Sequence, residues 1–173
     1  ALLRGINVGG ARKVPMARLK EIFEKLGFSD VKTFIASGNV IFSSNSKNRS
    51  ELAKKIEKTL LKEFSFVIPV LLRSESEIAK LVKAIPKDWV SDKSMKCDVM
   101  FLWREFDNKK VLESMSHDPK IEDLVYVPGA VIWRVDRKYI KQGRMVKIVG
   151  TQLYRNLTIR NSNTVRKICE LMM

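Results

Sequence analysis

The sequence contains little of what metal centres and histidine-dependent active sites require. It has two cysteines, Cys97 and Cys169, and one histidine, His117, in 173 residues. The cysteines do not form a CxxC pair, so we expect free thiols rather than a disulfide or a zinc site. A single histidine gives no support for a Ser-His-Asp triad. We therefore predict no metal site and no cofactor, and the sequence nominates no catalytic residue.

Long apolar runs are absent as well. No run reaches the roughly 18 residues typical of a membrane-spanning helix. The first residues also lack the basic, apolar and small-residue zones of a signal peptide. The content of 45% hydrophobic and 30% charged residues is ordinary for a soluble globular protein. From the two absences we expect a cytoplasmic protein that binds no membrane.

Acidic residues are missing from both ends of the chain. Residues 1–20 hold five Lys or Arg and no Asp or Glu, and residues 137–169 hold nine and none. These fourteen charges equal the net charge of +14, so the rest of the chain is neutral. A basic patch is the electrostatic footprint of an anionic partner. A solvated surface with no partner explains the same charges.

The chain begins with ALLRGINVGGARK, a glycine-rich stretch without acids. Gly5 and Gly10 have the G-x-x-x-x-G spacing of a P-loop, but Ala11 and Arg12 follow where ATP hydrolysis needs Lys and Ser or Thr. Gly9 and Gly10 permit the backbone to approach a ligand closely, beside cationic neighbours. Alternatively, the glycines only let the first strand turn back into its helix.

Hydrophobic periodicity predicts the order strand, helix, strand, strand, helix, strand in residues 1–73. Apolar residues recur at helical spacing across residues 15–27, and two β-rich runs flank the tight turn Ser37-Gly38-Asn39. Pro69 favours an edge strand or a bulge for the last strand. This order is the split βαβ arrangement of ferredoxin-like folds.

The same order recurs in the second half of the chain. The S-x-x-E sequence at residues 74–77 is a capping box, which predicts a connecting helix before a linker. After it we predict a strand, a helix over residues 107–115, a hairpin across Pro128-Gly129, a short helix over residues 145–153, a strand and a last helix. The predicted class is α+β, with two ferredoxin-like units in tandem joined by a helix. The predicted boundaries are 1–73 for the first unit, 74–94 for the connecting helix and linker, and 95–173 for the second unit.

Three motifs are similar to those of a known family. Residues 2–44 contain R-G-I-N-V-G-G, a K-V-P-M helix start and S-G-N-V-x-F, while TIRNSNTVRKI resembles an R-N-W-N-T-V block. Ser162 stands where that block has Trp. This chain therefore lacks the stacking or packing contact of the aromatic ring. On these motifs the chain resembles an uncharacterised bacterial family, domain of unknown function sixteen ninety-seven. The resemblance implies a pair of ferredoxin-like α/β units and brings no established activity.

The motif regions coincide with the two acid-free ends of the chain. We therefore predict that the basic and amide side chains of both ends converge on one anion-binding surface. Ser37 and Asn39 in the hairpin add hydrogen-bonding groups. The predicted ligand-binding residues are Arg4, Asn7, Gly9, Gly10, Arg12, Lys13, Ser37, Asn39, Arg155, Arg160, Asn161, Asn163 and Thr164.

The predicted function is a binding module for a phosphate-bearing partner, either nucleic acid or a phosphorylated small molecule such as a nucleotide. The chain lacks an RNP-type K-G-F-G-F run, so salt-sensitive binding to the backbone is favoured over sequence-specific reading of RNA. One alternative is an enzyme that acts on a small anionic substrate. Another is a protein-interaction scaffold with an acidic partner. The sequence leaves open whether the protein is an enzyme and what its oligomeric state is.

Overall fold

The computed structural model describes residues 1–10 and 12–173, and the α-helices and β-strands of this part of the chain belong to two units. The units are Ala1–Ser74 and Glu75–Leu171, with the last two residues divided between them. The first unit contains β1 (Leu2–Leu3), α1 (Met16–Lys25), β2 (Ser29–Phe34), β3 (Asn39–Ser43), α2 (Arg49–Phe64) and β4 (Val70–Leu71). The second begins with α3 (Glu75–Ala84), β5 (Met95–Leu102), β6 (Glu122–Val127) and β7 (Ala130–Asp136). It ends with α4 (Gln152–Arg155), β8 (Leu157–Asn161) and α5 (Ser162–Met172).

Each unit is built on one four-stranded antiparallel sheet. The first sheet has the order β2-β3-β1-β4 and the second has the order β6-β7-β5-β8. All of the strand pairs are antiparallel. The predicted α+β class is therefore confirmed, and so is the edge position of the strand that follows Pro69.

The first unit packs α1 and α2 against its sheet through aromatic and aliphatic side chains. The rings of Phe28 and Phe42 are 4.5 Å apart, and the ring of Phe23 lies 5.3 Å from that of Phe42. Burial of such apolar surface is the main source of folding free energy. The helix predicted over residues 15–27 is confirmed as α1, with Pro15 at its N-cap and Gly27 in the left-handed region just after its end.

Two helices predicted for the second unit are present mainly as 3-10 helices. Residues 107–115 contain one 3-10 helix at Lys109–Ser114, and residues 145–153 contain a 3-10 helix at Met145–Ile148 followed by the start of the single turn of α4. In the first case the Asn108 carboxamide accepts a hydrogen bond from Lys110 N, and the Asp107 carboxylate accepts one from Gly129 N. The first bond caps the 3-10 helix at an N-terminal N–H, and the second joins the segment to the turn between β6 and β7. The spacing of the apolar residues therefore reflects burial of one face and not an α-helix.

Candidate functional site

The cationic loop, defined as residues 5–13, lies between β1 and α1 of the first unit, and most of its described residues are exposed. Gly9, Gly10, Arg12 and Lys13 are exposed. The φ angles of Gly9 and Gly10 are 59° and 77°, and that of Arg12 is 51°. Left-handed backbone costs glycine little and other residues more. The two glycines therefore serve the bend of the loop, which supports the structural interpretation of the glycine-rich stretch.

Asn7 closes this loop at its base. Its Nδ2 donates hydrogen bonds to the carbonyls of Val14 and Ala36 at 3.0 and 2.8 Å. Its Oδ1 accepts a bond from Val14 N at 2.8 Å. Both amide hydrogens of the side chain are thus used within the protein. Asn7 fixes the loop to the start of α1 and to the β2–β3 turn, so it is a positioning residue.

The β2–β3 turn packs directly against β1 and the start of the loop. Leu3 N donates to Gly38 O at 2.8 Å, and a Cβ on Gly38 would lie 2.7 Å from Ile6 Cδ1. Asn39 is buried, and its Nδ2 donates to Phe34 O and Ser37 Oγ. The R-G-I-N-V-G-G and S-G-N-V motifs therefore form one packed cluster in the first unit.

The charge of the cationic loop comes from side chains with different surroundings. The Arg12 guanidinium lies 5.7 Å from the centre of the Phe66 ring, a cation–π distance. Among the described residues, neither Arg12 nor Lys13 has a carboxylate partner. Arg18, by contrast, is paired with Glu21 at 2.8 Å and Glu63 at 2.5 Å. The positive charge is consequently neutralised on α1 and remains on the loop.

Arg160 of the second unit occupies a buried position in β8. Its exposed fraction is 6%, and its Nη1 donates to Thr158 Oγ1 at 3.0 Å and to Ile159 O at 2.7 Å. Burial lowers its pKa to about 10. The guanidinium therefore lies inside the second unit and not on its surface.

The remaining polar residues of the C-terminal motif also bond within the second unit. Asn161 Oδ1 accepts a bond from Thr164 N and caps α5. Asn163 bonds both backbone groups of Ser91, with its Nδ2 at 2.8 Å from Ser91 O and its Oδ1 at 3.3 Å from Ser91 N. Thr164 itself is buried, whereas Arg155 is exposed.

The structure brings the predicted residues together as two separate groups. Those of the N-terminal motifs lie in the first unit, and those of the C-terminal motif lie in the second. Their convergence on one surface stays a prediction.

The second unit contains a cavity that was not predicted from the sequence. It measures about 100 Å³ and is lined by Lys96, Asp98, Met100, Trp133, Met145, Ile148 and Ile159. Lys96 Nζ lies 3.3 Å from Asp98 Oδ2 and 5.6 Å from the centre of the Trp133 ring. Burial raises the pKa of Asp98, while Lys96 and Arg137 act in the opposite direction. In the sequence, the feature that indicates this cavity is the alternation Lys96-x-Asp98-x-Met100, which puts the three side chains on one face of a strand.

The thiols and the acidic side chains form no metal centre in the part of the chain that the structure describes. Both cysteines are free thiols. Burial raises the pKa of Cys97, so its reactive thiolate form is disfavoured at neutral pH. None of the described helices combines the length and apolar character needed to cross a membrane.

The fold defines an α+β protein with two four-stranded antiparallel sheets, and comparison with known proteins places it in a family. The family described as "Protein of unknown function (DUF1697)" matches residues 1–133, so the chain belongs to it. Among solved structures, the chain is similar to the conserved bacterial protein SP0830 from Streptococcus pneumoniae, with 28% identity and a TM-score of 0.82. The match covers 99% of this chain and 96% of that one. No curated protein matches.

Proposed function

We propose that the protein binds a phosphate-bearing partner, a nucleic acid or a nucleotide, through the cationic loop of residues 5–13. One observation carries the proposal: Arg12 and Lys13 are exposed on a loop without acids whose base Asn7 holds in place. A fixed loop presents its charges to a phosphate without a large ordering cost on binding. Charge-assisted hydrogen bonds from Arg and Lys are the usual protein contacts to phosphate.

The backbone at Gly9 and Gly10 supports the same proposal. Apart from the adjacent residues of the chain, no described atom lies within 4 Å of a Cβ placed at either glycine, so the space beside this stretch is open to a ligand. Backbone N–H groups in turns with left-handed residues commonly line anion sites. Gly9 and Gly10 therefore permit a phosphate oxygen to approach main-chain amides while Arg12 and Lys13 neutralise its charge.

We further propose that both units are ferredoxin-like. Support comes from the strand orders β2-β3-β1-β4 and β6-β7-β5-β8, in which the first and third strands of each unit are the two central ones. Four-stranded sheets of this general type bind RNA through exposed aromatics on central strands. Here Phe42 of β3 packs against Phe23 and Phe28 in the core. Binding to the phosphate backbone is thus favoured over stacking of bases.

Fluorescence anisotropy with labelled single-stranded and duplex oligonucleotides tests the proposal, together with thermal shift in the presence of nucleotides. We expect the affinity for oligonucleotide to fall steeply between about 50 and 200 mM salt. The variant Arg12→Gln/Lys13→Gln should bind about tenfold more weakly, with a smaller salt dependence. If one nucleotide stabilises the protein and oligonucleotides do not bind, the partner is the nucleotide.

The matched control is Lys54→Gln/Lys58→Gln, which removes the same charge from exposed positions of α2. We expect this variant to lose less than about twofold in affinity, because only the general electrostatic attraction changes. Equal losses in the two double variants, or no binding of any phosphate compound, would contradict the assignment to the loop.

A further inference from the structure

We propose that the cavity of the second unit is a binding site for a small organic cation, an alkylammonium with a short apolar body. The described residues that line the cavity belong to the second unit, whereas the cationic loop belongs to the first. Its polar end is formed by Asp98 and Lys96, and the indole of Trp133 lies beside them.

The position of the Lys96 ammonium shows what the polar end recognises. Its Nζ is 3.3 Å from the Asp98 carboxylate and 5.6 Å from the centre of the Trp133 ring. A carboxylate and an aromatic face are the two groups that together recognise organic cations in proteins. The Lys96 ammonium thus occupies the place between Asp98 and Trp133 that an external organic cation would take. Lys96 and Asp98 both belong to β5.

The side chains of Lys96 and Asp98 differ in their exposure. The side chain of Lys96 is 35% exposed, whereas that of Asp98 is 13% exposed. A lysine at such a position can move its ammonium into water, because its long stem reaches the surface. A buried carboxylate, in contrast, requires a cationic partner. An external ammonium can therefore replace Lys96 and leave Asp98 paired.

The rest of the cavity suits a short apolar body. Its walls are the side chains of Met100, Met145, Ile148 and Ile159 together with Trp133. An apolar cavity of about 150 Å³ holds benzene, so one of about 100 Å³ holds a branched or linear chain of about four carbons. Methionine side chains also adapt their shape to a ligand.

Titration with isobutylammonium, followed by ¹H–¹⁵N NMR of the tryptophan indoles, tests the inference. Trp133 Nε1 donates to Glu122 Oε1 at 3.2 Å, so its resonance reports on the wall of the cavity. The resonance is assigned with a Trp133→Phe variant. We expect isobutylammonium to shift the Trp133 signal in a saturable way and to leave Trp89 and Trp103 unchanged. Isobutanol, a neutral analogue of similar shape, should bind at least about tenfold more weakly.

Two variants separate the roles of the charged residues. Lys96→Ala removes the internal competitor and should tighten isobutylammonium binding by about tenfold. Asp98→Asn should abolish the preference for the ammonium over the alcohol. Lys93→Ala, which removes an exposed lysine just before β5, is the control and should bind like the wild type.

Two results would overturn the inference in samples whose spectra show a folded protein. One is an unchanged Trp133 signal in both wild type and Lys96→Ala. The other is equal affinity for isobutanol and isobutylammonium. Loss of oligonucleotide binding in the loop variants has no bearing on either result, because the loop lies in the first unit.

Discussion

The two units connect the strands of similarly ordered sheets in different ways. In the first unit the long connections are the α-helices α1 and α2. In the second, β5–β6 and β7–β8 are joined by 3-10 helices, irregular segments and the single turn of α4. An α-helix satisfies most of its own backbone hydrogen bonds, but irregular backbone needs other acceptors. The second unit must therefore supply these acceptors from side chains.

Glu122 is the main acceptor of this kind. Its carboxylate is buried and accepts bonds from Asp118 N and Arg144 N at 2.8 Å and from Met145 N at 3.0 Å. It also accepts the bond from the Trp133 indole. One strand order is therefore compatible with two modes of stabilisation. The first unit relies on packed helices, and the second adds a buried carboxylate that joins its irregular segments.

The largest expected effect is that of Glu122→Ala. The substitution leaves two buried and two half-buried N–H groups without an acceptor, so we expect a loss of about 4 kcal/mol in the free energy of unfolding. Urea unfolding followed by tryptophan fluorescence measures it in the second unit, because Trp89, Trp103 and Trp133 all lie there. Asp123→Ala, at an exposed ion pair with Arg134, should cost less than about 1 kcal/mol. Similar losses in the two variants would refute the role of Glu122.

In the first unit, the largest effect is expected for Gly38→Ala. The φ of Gly38 is +80°, and its new Cβ would lie 2.8 Å from Leu3 Cβ, which cannot move without the strand. We expect a loss of about 3 kcal/mol by urea unfolding. Gly27→Ala is the matched control, since Gly27 has a φ of +85° with no atom near its Cβ position. It should cost about 1 kcal/mol, and an equal cost at both glycines would show that packing at Gly38 is unimportant.

A smaller effect is expected for Asn7→Ala, which removes the side-chain hydrogen bonds at the base of the cationic loop. Three hydrogen bonds are lost from partly exposed positions, so we expect a loss of about 2 kcal/mol. Oligonucleotide affinity should fall too, although Arg12 and Lys13 are retained. Asn45→Ala, an exposed position after β3, should change neither property. Full affinity in Asn7→Ala would contradict the need for a fixed loop.

The smallest effect is a pH dependence that arises in the second unit. Because burial raises the pKa of Asp98 in the folded state, the folded protein holds this proton more tightly than the unfolded chain. Wild-type stability should therefore fall as pH rises from about 4 through the raised pKa. Lys96 and Arg137 oppose part of this fall. The Asp98→Asn variant should not show this fall in stability. Free energies of unfolding at pH 4 and pH 7 measure the difference. A parallel pH profile in the two proteins would count against a raised pKa.

The sequence predicts the elements of the first unit well because each α-helix carries its own local signal. Pro15, the apolar spacing and Gly27 bound α1 without reference to the rest of the chain. The 3-10 segments of the second unit have no such signal. Their conformation depends on distant partners, such as Gly129 N, which donates a hydrogen bond to the Asp107 carboxylate across 22 residues. Apolar spacing alone therefore predicted α-helices there.

The candidate site was predictable in its residues but not in their bonding. The motifs drew attention to Asn7 and Asn163, yet their backbone partners Ala36 and Ser91 are 29 and 72 residues away. Short polar side chains bond to backbone as readily as to ligands, and only the fold decides between these uses. The cavity beside Asp98 escaped prediction for the same reason, since its walls come from several strands and a 3-10 helix.

The most direct test of the central proposal is a ¹H–¹⁵N NMR titration with a short single-stranded oligonucleotide at about 50 mM salt. We expect saturable shifts of the backbone amides of Gly9, Gly10, Arg12 and Lys13, with the exposed lysines of α2 unaffected. Shifts spread over α2 with none in residues 5–13, or no shifts at all, would contradict it.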